Sequence, residues 1–301
     1  MQTYAPSYYA KFSCIASRCR HNCCIGWEID VDSDTYNNYL NIEGEFGTLL
    51  KQNIVGGNNP HFKMLKGTRC PFLNKDNLCD IIVNLGEQNL CEICKLHPRF
   101  LNYFDDRVEI GLGLCCEEAA RIILTNKDKM RILKFDGEET DEGVEETSFF
   151  ALRNRVLDAL QDRTKGIDDR IKNALKLLGA EYKEITRKEI FDIYKPLERL
   201  DSSWDNELDR LICDEVYVLS DFDIIAEQLL TYFVYRHFGD SVYDGLFTER
   251  LRFAILSYNC VKEICKSYKN ISIEKIIDIS RMYSSEVEYS DENLSEILSK
   301  N

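Results

Sequence analysis

Histidine, tryptophan and methionine are scarce in this sequence, and so are the residues that interrupt regular structure. The 301 residues hold 4 His, 2 Trp, 4 Met, 5 Pro and 15 Gly. So little proline and glycine excludes a collagen-like or linker-dominated chain. The histidines, at positions 21, 61, 97 and 237, have no spacing that demands a metal; His21 alone lies inside a cysteine group. No apolar run approaches the roughly 18 residues that a membrane span needs, so no membrane partner is expected. The opening MQTYAPSYYAKFSC carries tyrosines and Pro6 where an export signal would have a charged start and an apolar stretch. Cytoplasmic is therefore the expected location. Bases are outnumbered as well, 38 against 52 acids, for a net charge of −14. That field repels nucleic-acid phosphates and argues against a nucleic-acid partner. It favours a lysine-bearing protein surface, while most of it serves solubility.

What the sequence has in plenty is cysteine. Ten of the 13 (14, 19, 23, 24, 70, 79, 91, 94, 115 and 116) fall in the first 116 residues, and only Cys213, Cys260 and Cys265 follow. At roughly 150 residues per domain the length suggests two domains or one large one, and 44% hydrophobic residues are enough for a core. The cysteines suggest where to divide it: a metal-binding region over 1–135, an acidic linker over 136–147 and a helical domain over 148–301. The first region is rich in turn signals, such as Gly56-Gly57-Asn58-Asn59-Pro60, with short helices expected over 33–41 and after Cys116. The linker, DGEETDEGVEET, holds seven acids and no base and reads as a solvated segment. Beyond it the apolar residues recur at helix spacing: Phe149 to Leu160, Ile167 to Leu178 before Gly179, then 223–238, 246–268 and 271–283. The expected fold is mainly α, a loop-rich cysteine-stapled region followed by a helical bundle.

Without an export signal, metal ligation is a better reading of the cysteines than a disulfide framework. They form three groups: Cys14-x4-Cys19-x3-Cys23-Cys24; Cys70-Pro71-Phe72-Leu73 with Cys79 and Cys91-x2-Cys94; and Cys115-Cys116. Soft thiolates select zinc, copper(I) or iron–sulfur clusters. A structural zinc needs four donors on one ion, and ribbon-like sites favour two close Cys-x-x-Cys knuckles. Only Cys91/Cys94 fits that well, with Cys19-x3-Cys23 as a marginal second. Clusters tolerate wider, irregular spacing, so the spacings lean towards iron–sulfur and leave zinc open. The radical S-adenosylmethionine spacing, C-x3-C-x2-C, is absent. The last three cysteines sit within helical patterns and read as small buried hydrophobes.

In their order along the chain these motifs resemble flagellin lysine-N-methylase, within the bacterial cysteine-cluster proteins described as zinc- or iron-chelating. The resemblance is carried by Tyr8 and Phe12, Cys23-Cys24-Ile25-Gly26-Trp27-Glu28-Ile29, Cys70-Pro71-Phe72-Leu73, Leu78-Cys79-Asp80-Ile81, Leu90-Cys91-Glu92-Ile93-Cys94, Pro98-Arg99-Phe100, and Cys116 with Glu118. Past the linker it rests on helical character and on Tyr-Arg-His-Phe at 235–238. The family's conserved cysteines fall on Cys14, Cys19, Cys23, Cys24, Cys70, Cys79, Cys91, Cys94 and Cys116. The resemblance implies a protein-lysine methyltransferase that uses S-adenosylmethionine, carries a [4Fe-4S] cluster and has flagellin as its partner. Glu117 stands where the family usually has proline, and His97 where it usually has an aromatic; neither change removes a thiolate. The alternative class is a non-catalytic zinc-binding adaptor with a helical partner-binding domain. A small electron carrier is disfavoured by the length of the helical part.

The residues themselves name neither a catalytic base nor a cofactor cradle. Asp30, Asp32, Tyr36 and Tyr103 lie near the motifs but read more simply as surface or packing residues. Trp27 could stack on adenine and Arg99 could clamp a carboxylate, each with a plainer structural role beside it. Gly111-Leu112-Gly113 is a lone Gly-x-Gly, a weak signal.

Overall fold

The computed structural model describes residues 1–135, 139–140 and 148–300. Two compact units emerge, one formed by Met1–Phe12 with Leu101–Asn301 and the other by Ser13–Phe100. The division expected at 136–147 lies outside the described residues apart from Glu139 and Thr140. The compact units are drawn differently because the N-terminal residues pair with strands from beyond residue 100.

That pairing makes a small mixed sheet. β1 (Gln2–Pro6) is its centre. With β2 (Ile54–Val55) and β3 (His61–Phe62) forming a separate hairpin, the remaining strands are β4 (Arg99–Tyr103), β5 (Arg107–Leu112), β6 (Ile132–Phe135) and β7 (Glu139–Thr140). The order is β4-β5-β1-β6-β7. β1 runs parallel to β5, with Tyr4 opposite Glu109, and antiparallel to β6, with Tyr4 opposite Lys134. A parallel pair cannot be joined by a tight turn, and the chain between these two strands includes all of Ser13–Phe100. Little in the residue pattern marks this sheet. β1 is five residues ending in Pro6, and its last three are all buried, so it lacks the alternation that marks a half-buried strand.

Helices dominate the rest, and the chain is mainly α as expected. The expected segments form as Ser33–Asn41, Glu117–Leu124, Ser148–Leu160, Ile167–Lys176, Asp223–His237, Phe247–Cys265 and Ile273–Tyr283. Asp32 caps the first of these, accepting from the Thr35 N–H at 2.9 Å. Gly179 follows Ile167–Lys176 with φ of +69°, a left-handed conformation natural to glycine. Asp223–His237 is the spine of its unit. Every residue from Ile225 to His237 is buried, so the helix has no solvent face to show an amphipathic stripe.

Burial all round forces its polar residues to find partners inside. Glu227 lies between Arg163 at 2.8 Å and Arg170 at 2.9 Å. Beside the spine, Glu109 on β5 takes a two-pronged ion pair from Arg153, at 2.5 and 2.8 Å. Both side chains are essentially inaccessible, at 0% and 1%. A buried carboxylate that loses its partner keeps the desolvation cost without the compensating attraction. Arg153→Met should therefore lower stability by about 3–5 kcal/mol, read as a fall in the urea midpoint. Removing the exposed Lys188 from its ion pair with Asp192 should leave that midpoint unchanged.

Candidate metal centre

The Ser13–Phe100 unit is organised around sulfur. Its core joins Ile29, Val31, Tyr39, Leu50, Ile54, Phe62, Phe72, Leu73, Ile81 and Leu90 to the buried Cys70 and Cys91, with Cys24, Cys79 and Cys94 packed against them. Local rules place each one. The Cys70 N–H donates to the Cys24 carbonyl at 2.7 Å and the Gly26 N–H to Thr68 at 3.0 Å, which lays the first and second cysteine groups side by side. Gly26 allows this with φ of +92°. In the turn after Cys-Pro-Phe-Leu, Asn74 accepts from the N–H groups of Asp76 and Leu78. Leu73 then bridges to Cys79. Cys79 and Cys91 occupy the N-cap positions of the short helices Asp80–Leu85 and Glu92–Leu96, and the second of these helices carries Cys94.

The sulfurs interact directly. Cys24 shares side-chain hydrogen bonds with Cys23 and with Cys70, and Cys94 shares one with Cys91. The effect on their acidity is paired. Hydrogen bonding from Cys24 lowers the pKa of Cys23 and of Cys70 against the opposing effect of burial. Hydrogen bonding from Cys94 does the same for Cys91. Cys24 and Cys94 are raised, first by those same bonds. Cys79 is raised by burial, offset in part by the N–H groups of Ile82 and Ile81. Cys24 and Cys94 are thus held as thiols beside Cys23, Cys70 and Cys91.

Of the nine cysteines expected as ligands, the fold gathers Cys23, Cys24, Cys70, Cys79, Cys91 and Cys94. Cys14 is exposed, and its sulfur accepts the Ala16 N–H at 3.4 Å. Cys19 is half-buried and donates to the His21 carbonyl at 3.2 Å. Cys116 belongs to the other unit. Among the described residues no three His, Cys, Asp or Glu side chains are arranged so that they could hold a metal ion. Thiol donors are soft and suit a thiophilic metal, zinc or an iron–sulfur group alike. The leading electrostatic influences on Cys94 are its neighbouring thiols, and those on Cys91 add the Asp32 carboxylate.

Other residues weighed in the sequence have structural partners. Asp32 caps two helices at once, accepting from Thr35 and, through its second oxygen, from the Glu92 N–H at 2.8 Å. Tyr39, which carried no signal in the sequence, donates to the Asn89 carbonyl at 2.6 Å. Burial, followed by Cys91, Cys94 and Cys79, raises its pKa, so it stays a phenol. His97 is lowered to about 4 by burial and then by Arg99, so it is neutral at pH 7. Tyr103 is exposed, and its carbonyl accepts the Tyr243 hydroxyl at 2.7 Å. Gly111-Leu112-Gly113 ends β5 and leads through Cys115-Cys116 into Glu117–Leu124. Of the late cysteines, Cys260 and Cys265 are buried as expected, whereas Cys213 is exposed.

Asp32 ties the helix Ser33–Asn41 to the Cys91/Cys94 knuckle, so Asp32→Ala should cost about 1–2 kcal/mol and speed alkylation of Cys91 and Cys94. Burial works against its ionisation, but the Glu92 and Thr35 N–H groups outweigh it and its pKa is lowered. The stabilisation is then complete above the unfolded-state pKa of about 3.9 and is lost as pH falls through the lower folded value. Urea midpoints of the two proteins should differ at pH 7 and converge in acid.

Comparison with known proteins places the chain. No solved structure matches it. Lysine-N-methylase of Salmonella typhimurium is 32% identical over 134 residues, 42% of this chain and 33% of its own length. The flagellar biosynthetic protein FliU of Salmonella muenchen is also 32% identical over 134 residues, 42% of this chain and 79% of its own. Lysine-N-methylase of Salmonella choleraesuis matches to the same extent as the first, so the chain spans about a third of the length of these two lysine-N-methylases. The sequence model of the FliB lysine N-methylase C-terminal domain matches residues 109–300, and through that stretch, which covers the helical bundle, this chain belongs to the FliB lysine N-methylase family.

Proposed function

We propose that this protein transfers a methyl group from S-adenosylmethionine to lysine side chains of flagellin, with a [4Fe-4S] cluster held by its N-terminal cysteines. Membership of the lysine N-methylase family supports the reaction class. The observation that carries the cluster is the convergence of Cys23, Cys24, Cys70, Cys79, Cys91 and Cys94 in the core of one unit. Cys14, Cys19 and Cys116 complete the ligand candidates. The relative named as a flagellar biosynthetic protein supports flagellin as the substrate, and so does the charge of −14, which attracts a lysine-bearing surface.

The reaction breaks the sulfonium S–CH3 bond, forms an N–CH3 bond and releases one proton, leaving a thioether. The attacking amine must be neutral. A free lysine has pKa near 10.4, so deprotonation at neutral pH costs about 4–5 kcal/mol unless the site lowers it. Alignment of amine and methyl supplies much of the remaining acceleration. Within the cysteine unit Asp32 is occupied by two helix caps and Tyr39 is held as a phenol, so neither serves as the base. A bound cluster would scaffold this unit and, with an iron left without a thiolate, offer a position for the cofactor's amino and carboxylate groups.

Protein purified without oxygen should be brown, with the broad visible absorption of a thiolate-bound cluster. Cys70→Ser and Cys91→Ser should lose iron and colour, while Cys213→Ser keeps both. With S-adenosylmethionine and purified flagellin, peptide mass analysis should find methylated lysines, fewer as salt rises at subsaturating flagellin. Flagellin left unmethylated by protein with its full complement of iron would overturn the enzymatic reading for this substrate. Colourless protein with stoichiometric zinc would overturn the cluster.

A further inference from the structure

The stretch that carries the family signature begins at Glu109 and contains one adjacent pair of thiols, Cys115 and Cys116. Their turn leaves β5 and enters the helix Glu117–Leu124, with Cys116 as its N-cap residue. Two contacts tie this turn to the helical bundle. The Leu114 N–H donates to the Tyr232 hydroxyl at 3.1 Å. The Cys115 thiol and the Tyr289 hydroxyl share a hydrogen bond.

Both phenols touch one constellation of polar side chains: Tyr232 is buried within it, whereas Tyr289 is 41% exposed. Tyr232 donates to Glu288 at 3.0 Å and accepts from Arg236 at 2.9 Å. The Arg236 Nε lies 3.3 Å from the Glu288 carboxylate, and its guanidinium sits 4.7 Å from the centre of the Tyr289 ring. His237 Nε2 approaches the same carboxylate at 2.6 Å. Burial opposes ionisation of Glu288, but Arg236 and His237 outweigh it and the carboxyl is lowered. His237 is lowered by burial, against the pull of Glu288. A carboxylate, a guanidinium and a neutral imidazole are therefore fixed together in the core. Glu288 ends the π-helix Ser284–Glu288, an irregularity frequent at functional sites.

Apolar side chains of similar volume would often stabilise such a core as well or better, so a buried ionic network points to a demand for geometry. Here that geometry ends at the thiol turn. Tyr232 is fixed by one donated and two accepted hydrogen bonds, and one of those accepted bonds holds the backbone immediately before Cys115.

We propose that Tyr232 and Tyr289, held by Arg236, Glu288 and His237, are positioning residues that fix the Leu114–Cys116 turn and present the Cys116 thiol in one orientation. The purpose of that orientation rests on the reading of Cys116 as an iron–sulfur ligand; the positioning itself is read without metal.

The test uses the full chain in metal-free form, alkylated with iodoacetamide and followed cysteine by cysteine by mass spectrometry. Tyr232→Phe and Tyr289→Phe should each raise the rate at Cys116 about fivefold, the effect of one lost hydrogen bond. Cys260, buried in the core, should stay protected, and the exposed Cys213 should react as before. An unchanged rate at Cys116 in both variants, with Cys260 protected, would overturn the proposal. Should Tyr232→Phe expose Cys260, Tyr289→Phe, at a partly exposed residue, gives the same reading with a milder change. Iron content separates the two ideas. Full iron in Cys116→Ser would refute the ligand reading alone. Lost iron in that variant, beside an unchanged Cys116 rate in the tyrosine variants, would refute the positioning alone.

Discussion

The crowding of thiols into a small core is the constraint on which the cysteine-rich unit depends. Its helices run no longer than nine residues and its hairpin strands no longer than two, too little regular structure to bury much apolar surface. Sulfur fills the space that large hydrophobes fill elsewhere, with Cys70 and Cys91 as fully integrated core residues. Thiols so placed cannot all ionise together and cannot all stay neutral without partners. Hydrogen bonding of Cys24 with Cys23 and Cys70, and of Cys94 with Cys91, eases the conflict in the metal-free chain. A cationic cluster would resolve it more strongly, because metal binding supplies folding free energy directly.

The helical unit solves a different problem by a related route. Its spine, Asp223–His237, is buried on every side yet carries Glu227, Gln228, Arg236 and His237. Each is answered by a residue distant in sequence: Glu227 by Arg163 and Arg170, Gln228 by the Asn126 and Asp128 carbonyls, and Arg236 and the neutral His237 by Glu288. These pairs add modestly to stability relative to apolar packing but penalise any other arrangement of the helices heavily, since a mispaired charge in the core is costly. They therefore fix the bundle in a single register. The family model matches within this unit, whose distinctive chemistry is its buried charges.

Chain order and spatial order diverge most at the beginning. β1 completes a sheet with strands from beyond residue 100, so the cysteine-rich segment is an insertion between two parallel neighbours. A boundary drawn from composition falls at the acidic run, where the charge changes. Compactness follows backbone hydrogen bonding instead, and a strand of five residues pairs with whatever edge the tertiary fold provides.

Local chemistry was legible in the sequence wherever it is carried by short-range spacing. The apolar period marked the longer helices, Gly179 marked a stop, and the Cys-Pro-Phe-Leu and Cys-x-x-Cys runs marked turns that do place their thiols together. A capping box at Thr186 and Glu189, which opens Arg187–Tyr194, is a signal of the same short range. Tyr-Arg-His-Phe at 235–238 offered one hint of the buried network, and nothing nearby revealed its partner Glu288, some fifty residues away. The sequence by itself determined which thiols sit on tight turns, which segments are helical and what sign of charge a partner meets. Only the tertiary structure decided which sulfurs share a core, which carboxylates are consumed by caps and ion pairs, and where β1 pairs. Those outcomes depend on contacts between residues far apart in the chain, and their energies are set by burial, which no local pattern records.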